Sequence, residues 1–421
     1  MSDAASLEAN LRRFAPGVWR CLSPLGRAAA FPRGITWQGE QARTATVNAT
    51  IGQTTDGFGK PLALPFVSDG LNGLDEGTSF LYGPVEGPRP LREAWLSRQR
   101  RLAGGSVAAT GLSMTTHGLT NSLSVVASLF ADPDTDVLIP DPCWDSYELI
   151  LGLYSRAHIV PFPTHQDGRF STDGLAAALV RCKRKAVLVL NFPGNPTGYM
   201  PSVAEAEEIT QIVVAHPGPL VVVTDDAYQG WVYESGRARR SLFWDLAERA
   251  DPERLVPIKV DGATKELVFF ASRIGFVTPS IAPDAADALE SKVKYVLRAT
   301  VGCPSGPAVA LVHRALKHPS LDEAFAARVD VLKRRWSVLR EQLRSLEGLV
   351  DVTEFNSAFF ALIGLRGRDP EGIRASLLTN QSLGTIAYPN HGALRVAFCS
   401  ISEQRIPELV DRLGQGLRAT S

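Results

Sequence analysis

The chain has 421 residues, 45% apolar and 21% charged, too long for one ordinary core and suited to two domains or one large domain with a satellite. Lys+Arg and Asp+Glu each number 44, so the formal net charge is zero. That balance excludes nucleic acid or an anionic membrane surface as the main partner, because both require a concentrated basic face.

The N-terminal run MSDAASLEANLRRFAPG lacks the apolar core of a secretion signal. No stretch approaches the ~20 apolar residues of a membrane helix. Cys21, Cys143, Cys182, Cys303 and Cys399 are scattered, odd in number and without a Cys-x-x-Cys pair. They read as free thiols in a reducing compartment, so a soluble cytoplasmic protein is expected. The seven histidines show no ligand spacing, and no metal site is expected.

Along the chain, short β-branched runs alternate with helical stretches: Val137–Pro140, Ala186–Leu190, Leu220–Thr224 and Val256–Val260. Continuously apolar strands separated by helices indicate a sheet buried on both faces, hence an α/β domain with a mostly parallel sheet. After about residue 320 the pattern changes. Phe325, Val329, Leu332, Trp336, Leu339 and Leu343 recur at steps of three and four, which predicts a long amphipathic helix ending near Gly348. Two short strands (358–363 and 393–398) and a last helix (406–417) follow. The expected division is a large domain over 61–320 and a smaller α+β domain built from 1–60 and 321–421.

In such sheets ligands bind at the carboxyl ends of the strands. The four loops there read Asp141-Pro-Cys-Trp-Asp-Ser-Tyr147, Asn191-Phe-Pro-Gly-Asn-Pro-Thr-Gly198, Asp225-Asp-Ala-Tyr228 and Asp261-Gly-Ala-Thr-Lys265. Singly each has an ordinary explanation: a turn, a helix cap, a solvated lysine. Jointly they supply what pyridoxal 5′-phosphate needs. That cofactor takes a lysine for a Schiff base, a carboxylate for the pyridine nitrogen and donors for the phenolic oxygen. It also takes a flat group for the ring and a nest for the phosphate. Strand alternation lets only one of Asp225 and Asp226 face the ring, and the Asp-x-Ala-Tyr spacing favours Asp225.

The segment Gly262-Ala-Thr-Lys-Glu-Leu-Val-Phe-Phe-Ala-Ser-Arg-Ile-Gly275 resembles the lysine-attachment signature of class I, fold type I pyridoxal-phosphate aminotransferases, in the aspartate/aromatic group. The arginine follows the lysine by 273 − 265 = 8 positions, as in aspartate aminotransferases. The resemblance covers most of the chain and implies a site residue by residue. Lys265 holds the cofactor as a Schiff base and then moves a proton between Cα and C4′. Asp225 pairs with the pyridine nitrogen, Asn195 and Tyr228 bond the phenolic oxygen, and Trp144 stacks on the ring. Gly118, Leu119, Thr120 and Arg273 hold the phosphate, with Thr264 and Ser272 as possible hydroxyl donors; a surface role is equally open for Ser272. Tyr82 is similar to the tyrosine that reaches the phosphate of a neighbouring subunit, which implies a homodimer with shared sites.

Many relatives carry serine three residues before the lysine; here Gly262 stands there, and weaker cofactor retention or compensation by water is expected. For the substrate, Arg395 resembles the arginine that forks the α-carboxylate. Gly52 resembles the glycine beside the substrate in an N-terminal lid. Arg298 falls where aspartate aminotransferases carry a distal-carboxylate arginine, but at 298 − 265 = 33 it is one residue short of that family's offset. That role and another both stay open for it.

The resemblance thus implies transfer of an amino group from an L-amino acid to a 2-oxo acid, with 2-oxoglutarate the natural acceptor. The same scaffold also serves C–S lyases, cyclopropane-forming synthases, decarboxylases and arginine-oxidising enzymes, and fold alone does not choose among them. A cofactor-sensing regulator would need a DNA-binding domain, for which ~60 neutral N-terminal residues leave little room. A degenerate binding module is the remaining alternative.

Overall fold

The computed structural model describes residues 3–152, 155–166, 168–182 and 184–419. Its centre is a seven-stranded sheet in the spatial order Met114–Thr116, Gly275–Pro279, Leu255–Gly262, Leu220–Asp225, Ala186–Asn191, Asp136–Asp141, His158–Pro163. Six of these strands run in one direction; Gly275–Pro279 is antiparallel to both neighbours, so the sheet is mixed. The β-branched runs form strands because alternate residues can be buried on opposite faces. Val187, Val189, Val221 and Val223 enter one core, whereas Leu188, Leu190, Leu220 and Val222 enter another. Helices cover both faces, among them Gly118–Phe130 on one and Val203–Val214 on the other.

A second sheet of four strands, Asp351–Val352, Phe360–Gly364, Ala393–Ala397 and Ile386–Tyr388, lies in the C-terminal part and is antiparallel throughout. The long helix is Leu321–Gln342, with its apolar stripe (Leu332, Trp336, Leu339) buried. It tightens into a 3₁₀ turn, Leu343–Leu346, before Gly348, whose φ of +84° suits a residue without Cβ. The last helix, Ile406–Ala419, buries one face. Val47 and Asn48 pair in parallel with Leu383 and Gly384, which ties the N-terminal segment to the C-terminal part of the chain. Among the described residues, no helix is long and apolar enough to cross a membrane.

The parallel strands all point their carboxyl ends the same way. The loops after Asp141, Asn191, Asp225 and Gly262 therefore open toward one crevice, whose far wall comes from Thr50, Gly52, Phe360 and Arg395.

Candidate active site

Strand Leu220–Asp225 ends on a buried carboxylate. Asp225 accepts a hydrogen bond from the Tyr147 hydroxyl at 2.6 Å and from the Ala227 N–H at 3.1 Å. Burial pushes its carboxyl up, and the Tyr147 bond, the Lys265 ammonium, the Ala227 N–H and the Lys259 ammonium each pull it back. Asp226 points to the opposite face, as strand alternation requires; its Oδ2 accepts from Ser241 at 2.6 Å.

The next strand, Leu255–Gly262, runs into a single helical turn, Ala263–Glu266, which carries Lys265. Its Nζ lies 4.9 Å from the Tyr228 ring centroid. Burial lowers the amine to about 8, with Asp225 acting against the fall and Arg273 adding to it. The neighbouring Thr264 hydroxyl is buried and has no hydrogen-bond partner among the described residues. An orphaned buried hydroxyl is costly unless a further group satisfies it.

Anion-binding geometry is built where Arg273 meets the start of helix Gly118–Phe130. Gly118 has φ +79°, and a Cβ there would lie 2.6 Å from Arg273 Nη2, so only glycine admits the guanidinium. Helix N–H groups and a guanidinium together suit a phosphate.

The other loops close around these groups. Asn191 Nδ2 donates to the Asp225 carbonyl at 2.8 Å, and Asn191 Oδ1 accepts from the Asn195 N–H at 2.9 Å. Asn195 Oδ1 in turn accepts from Arg395 Nη1 at 3.0 Å. Arg395 is 2% exposed, donates through Nη2 to the Thr50 carbonyl at 2.6 Å and stacks 4.3 Å from the Phe360 ring centroid. Gly52 is a close-approach glycine: a Cβ would sit 2.6 Å from Phe360 Cζ.

Leu119, Thr120, Trp144, Asn195, Asp225, Tyr228, Thr264, Lys265 and Arg273 line one cavity of about 250 Å³. Gly52 and Arg395 line an adjoining space of about 460 Å³ that shares Lys265, Trp144 and Arg273. A lysine amine, a buried carboxylate, an anion nest and an unpaired hydroxyl around one cavity fit pyridoxal phosphate. Lys265 could hold its aldehyde carbon, Asp225 its ring nitrogen, and the Gly118–Thr120 turn with Arg273 its phosphate.

The remaining candidate residues lie as follows. Tyr82 is 98% exposed and Arg298 is exposed on helix Pro283–Thr300; neither lines either of these two cavities. Ser272 is buried rather than on the surface, and its Oγ accepts the Ile274 N–H at 3.3 Å. Gly262 is a packing requirement: a Cβ would meet the Ile274 carbonyl at 2.6 Å and Leu119 Cδ1 at 2.8 Å. Two residues escaped the sequence reading. In the sequence Tyr147 stands as the end of one loop and Asn191 as the start of another. Asn191 ends strand Ala186–Asn191 and Tyr147 opens helix Tyr147–Gly152, and only the fold brings both to Asp225.

The family model for class I and II aminotransferases matches residues 47–413. The chain is 31% identical, over 232 residues, to a protein named a probable N-succinyldiaminopimelate aminotransferase of Mycobacterium tuberculosis. That match covers 55% of each, so the chain spans about half the length of that relative. An aspartate/prephenate aminotransferase of Thermus thermophilus is 24% identical over 345 residues, 80% of this chain and 83% of that protein. Among solved structures, an aminotransferase of Anaerococcus prevotii superposes with TM-score 0.82 at 20% identity, covering 94% of this chain and 98% of that one. At this identity the likeness speaks for the fold.

Proposed function

The chain belongs to the class I and II aminotransferases, a family whose members use pyridoxal phosphate, and from that premise we propose that it moves the amino group of an L-amino acid onto a 2-oxo acid, with 2-oxoglutarate as acceptor. The observation that supports this most is the meeting of Lys265, Asp225 and the Gly118–Arg273 nest around one cavity, with Arg395 at its open side.

When bound, the cofactor supplies an electron sink for the pair left behind as the Cα–H bond breaks. The chain's residues do the rest. Lys265 would attach the cofactor through its amine, and that amine, when free, would take the proton from the substrate's Cα and give it back. An amine held near 8 suits both directions of that transfer close to neutral pH. Asp225 keeps the pyridine nitrogen protonated, and Tyr147 steadies Asp225. Asn195 and Tyr228 would bond the phenolic oxygen, and Trp144 would cover the ring. Leu119, Thr120, Thr264 and Arg273 would hold the phosphate. Arg395, already oriented by Asn195, Thr50 and Phe360, offers its fork to the α-carboxylate beside Gly52.

Tyr82 and Arg298 belong, in this reading, to the site of a second copy. Their exposure supports a homodimer with shared sites, in which Arg298 meets the distal end of a dicarboxylate. The N-terminal segment to residue 60 and the part from 321 form the smaller domain over the crevice, as the pairing of Val47 with Leu383 supports. Five unpaired cysteines fit a reducing, cytoplasmic setting.

The test is a panel of amino donors mixed with the loaded protein, scored by the absorbance change of each half-reaction, with 2-oxoglutarate and pyruvate as acceptors. At least one donor is expected to convert the bound cofactor, and Lys265→Ala to abolish turnover while leaving cofactor binding. Absence of conversion with every donor rejects the reading.

A further inference from the structure

Behind the cavity, on the sheet face that Asp225 turns away from, lies a layer of buried charge. Lys259, 1% exposed, sits on strand Leu255–Gly262. Its Nζ is 2.7 Å from Asp226 Oδ2 and 2.8 Å from Asp261 Oδ2, and it reaches Gln229 Oε1 at 3.5 Å. Asp261 Oδ1 accepts from the Trp95 indole N–H at 2.9 Å, and Ser241 donates to Asp226. Glu266, next to Lys265, is held by Gln99 Nε2 at 3.0 Å and by Arg98 Nε at 3.9 Å; Arg98 also meets Asp322.

A lysine costs a great deal to bury, and apolar packing would serve a merely structural strand as well or better. Register shows what the lysine touches. Thr224 pairs with Lys259 and Asp225 with Val260, so Lys259 and Asp225 sit on adjacent rungs of neighbouring strands, on opposite faces. Across that sheet the Lys259 ammonium favours the ionised form of Asp225. Asp226 and Asp261 on one side of Lys259, with Glu266 beyond, hold it firmly as a cation. Lys265, the other cation near Asp225, changes its bonding and charge during the reaction proposed above.

We propose that Lys259 is a positioning residue for Asp225: clamped by Asp226 and Asp261, it fixes the ends of the two central strands and supplies a constant positive charge behind the carboxylate. This rests on Lys265 and Asp225 holding the cofactor. The charged groups involved are Lys259, Asp226, Asp261, Glu266 and Arg98 on the buried face, and Asp225, Lys265 and Arg273 on the cavity face.

The test is a pH titration of the visible absorbance of the cofactor-loaded protein. Lys259→Met removes a positive charge and is expected to raise the midpoint by about 0.5 unit or more; Asp226→Asn removes a negative one and is expected to lower it by about as much. Loosened packing alone would move both the same way. Lys259→Arg keeps the charge and should hold the wild-type midpoint. Together with Asp226→Asn it decides the matter even if Lys259→Met does not fold. Lys259→Met and Asp226→Asn midpoints that stay at the wild-type value or shift in one common direction, or a Lys259→Arg midpoint that leaves it, overturn the proposal. Failure of the underlying cofactor assignment would look different, because the wild type itself would then show no such absorbance.

Discussion

Asp225 and Tyr147 form the most consequential pair of side chains in the crevice. The carboxylate is 3% exposed and the tyrosine fully buried, so their 2.6 Å bond is made without competition from water. Asp225→Asn removes the charge proposed to keep the ring nitrogen protonated, and kcat should fall by about 10²-fold or more. Tyr147→Phe loses one hydrogen bond to a charged group, about 1.5–3 kcal/mol, and is expected to lower kcat by less than the asparagine does. Arg395→Lys keeps the charge but loses the fork, so the donor's KM should rise by roughly 10-fold or more while the bound cofactor's spectrum stays put. Lys265 gives a pH signature. In cofactor-free protein, acylation of Lys265 should rise with pH and reach half its maximum near 8, well below the ordinary 10.5. Between those values the unfolded chain carries the extra proton. This amine therefore makes cofactor-free protein more stable as pH rises across that window, a trend that thermal melting would show.

At the scale of elements, the strand ends carry the chemistry and the glycines set how closely they approach. Gly262 joins strand Leu255–Gly262 to the Lys265 turn with the Ile274 carbonyl and Leu119 pressed against its missing side chain. Gly262→Ser should therefore lower stability by about 1–3 kcal/mol through overpacking and weaken cofactor binding rather than improve it. Tighter binding by the serine variant, at unchanged melting temperature, would contradict that packing. The four strand-end loops were legible in the sequence because short apolar runs and polar turns alternate there, and a parallel sheet sends all those turns to one side. The layer around Lys259 was not. In the run Val256-Pro-Ile-Lys-Val260 the lysine reads as a break in a hydrophobic strand. Its partners Asp226, Asp261 and Trp95 come together only through strand register and a helix more than 160 positions away from Asp261. Tyr147 was hidden for the same reason, since its bond to Asp225 spans 78 positions.

The whole molecule joins a mixed α/β sheet to a four-stranded antiparallel one across the crevice, and the hydrophobic period changes near residue 320, ahead of the second sheet. Positions such as Tyr82 and Arg298 were legible as motif residues, yet one chain cannot bring them to its own cavity. Tyr82 follows Phe80 and Leu81, which are 83% and 71% exposed, an apolar edge that a second copy would cover. Sedimentation is expected to give twice the 45.5 kDa mass of the chain, and a single-chain mass would remove both residues from the site. Every role assigned above depends on which lysine carries the cofactor. Borohydride reduction of the yellow protein, followed by tryptic mapping, measures that directly. The expected result is a single labelled residue, Lys265, in the peptide that runs from Val260 to Arg273; a label on any other lysine, or no label in protein that retains its colour, would contradict it.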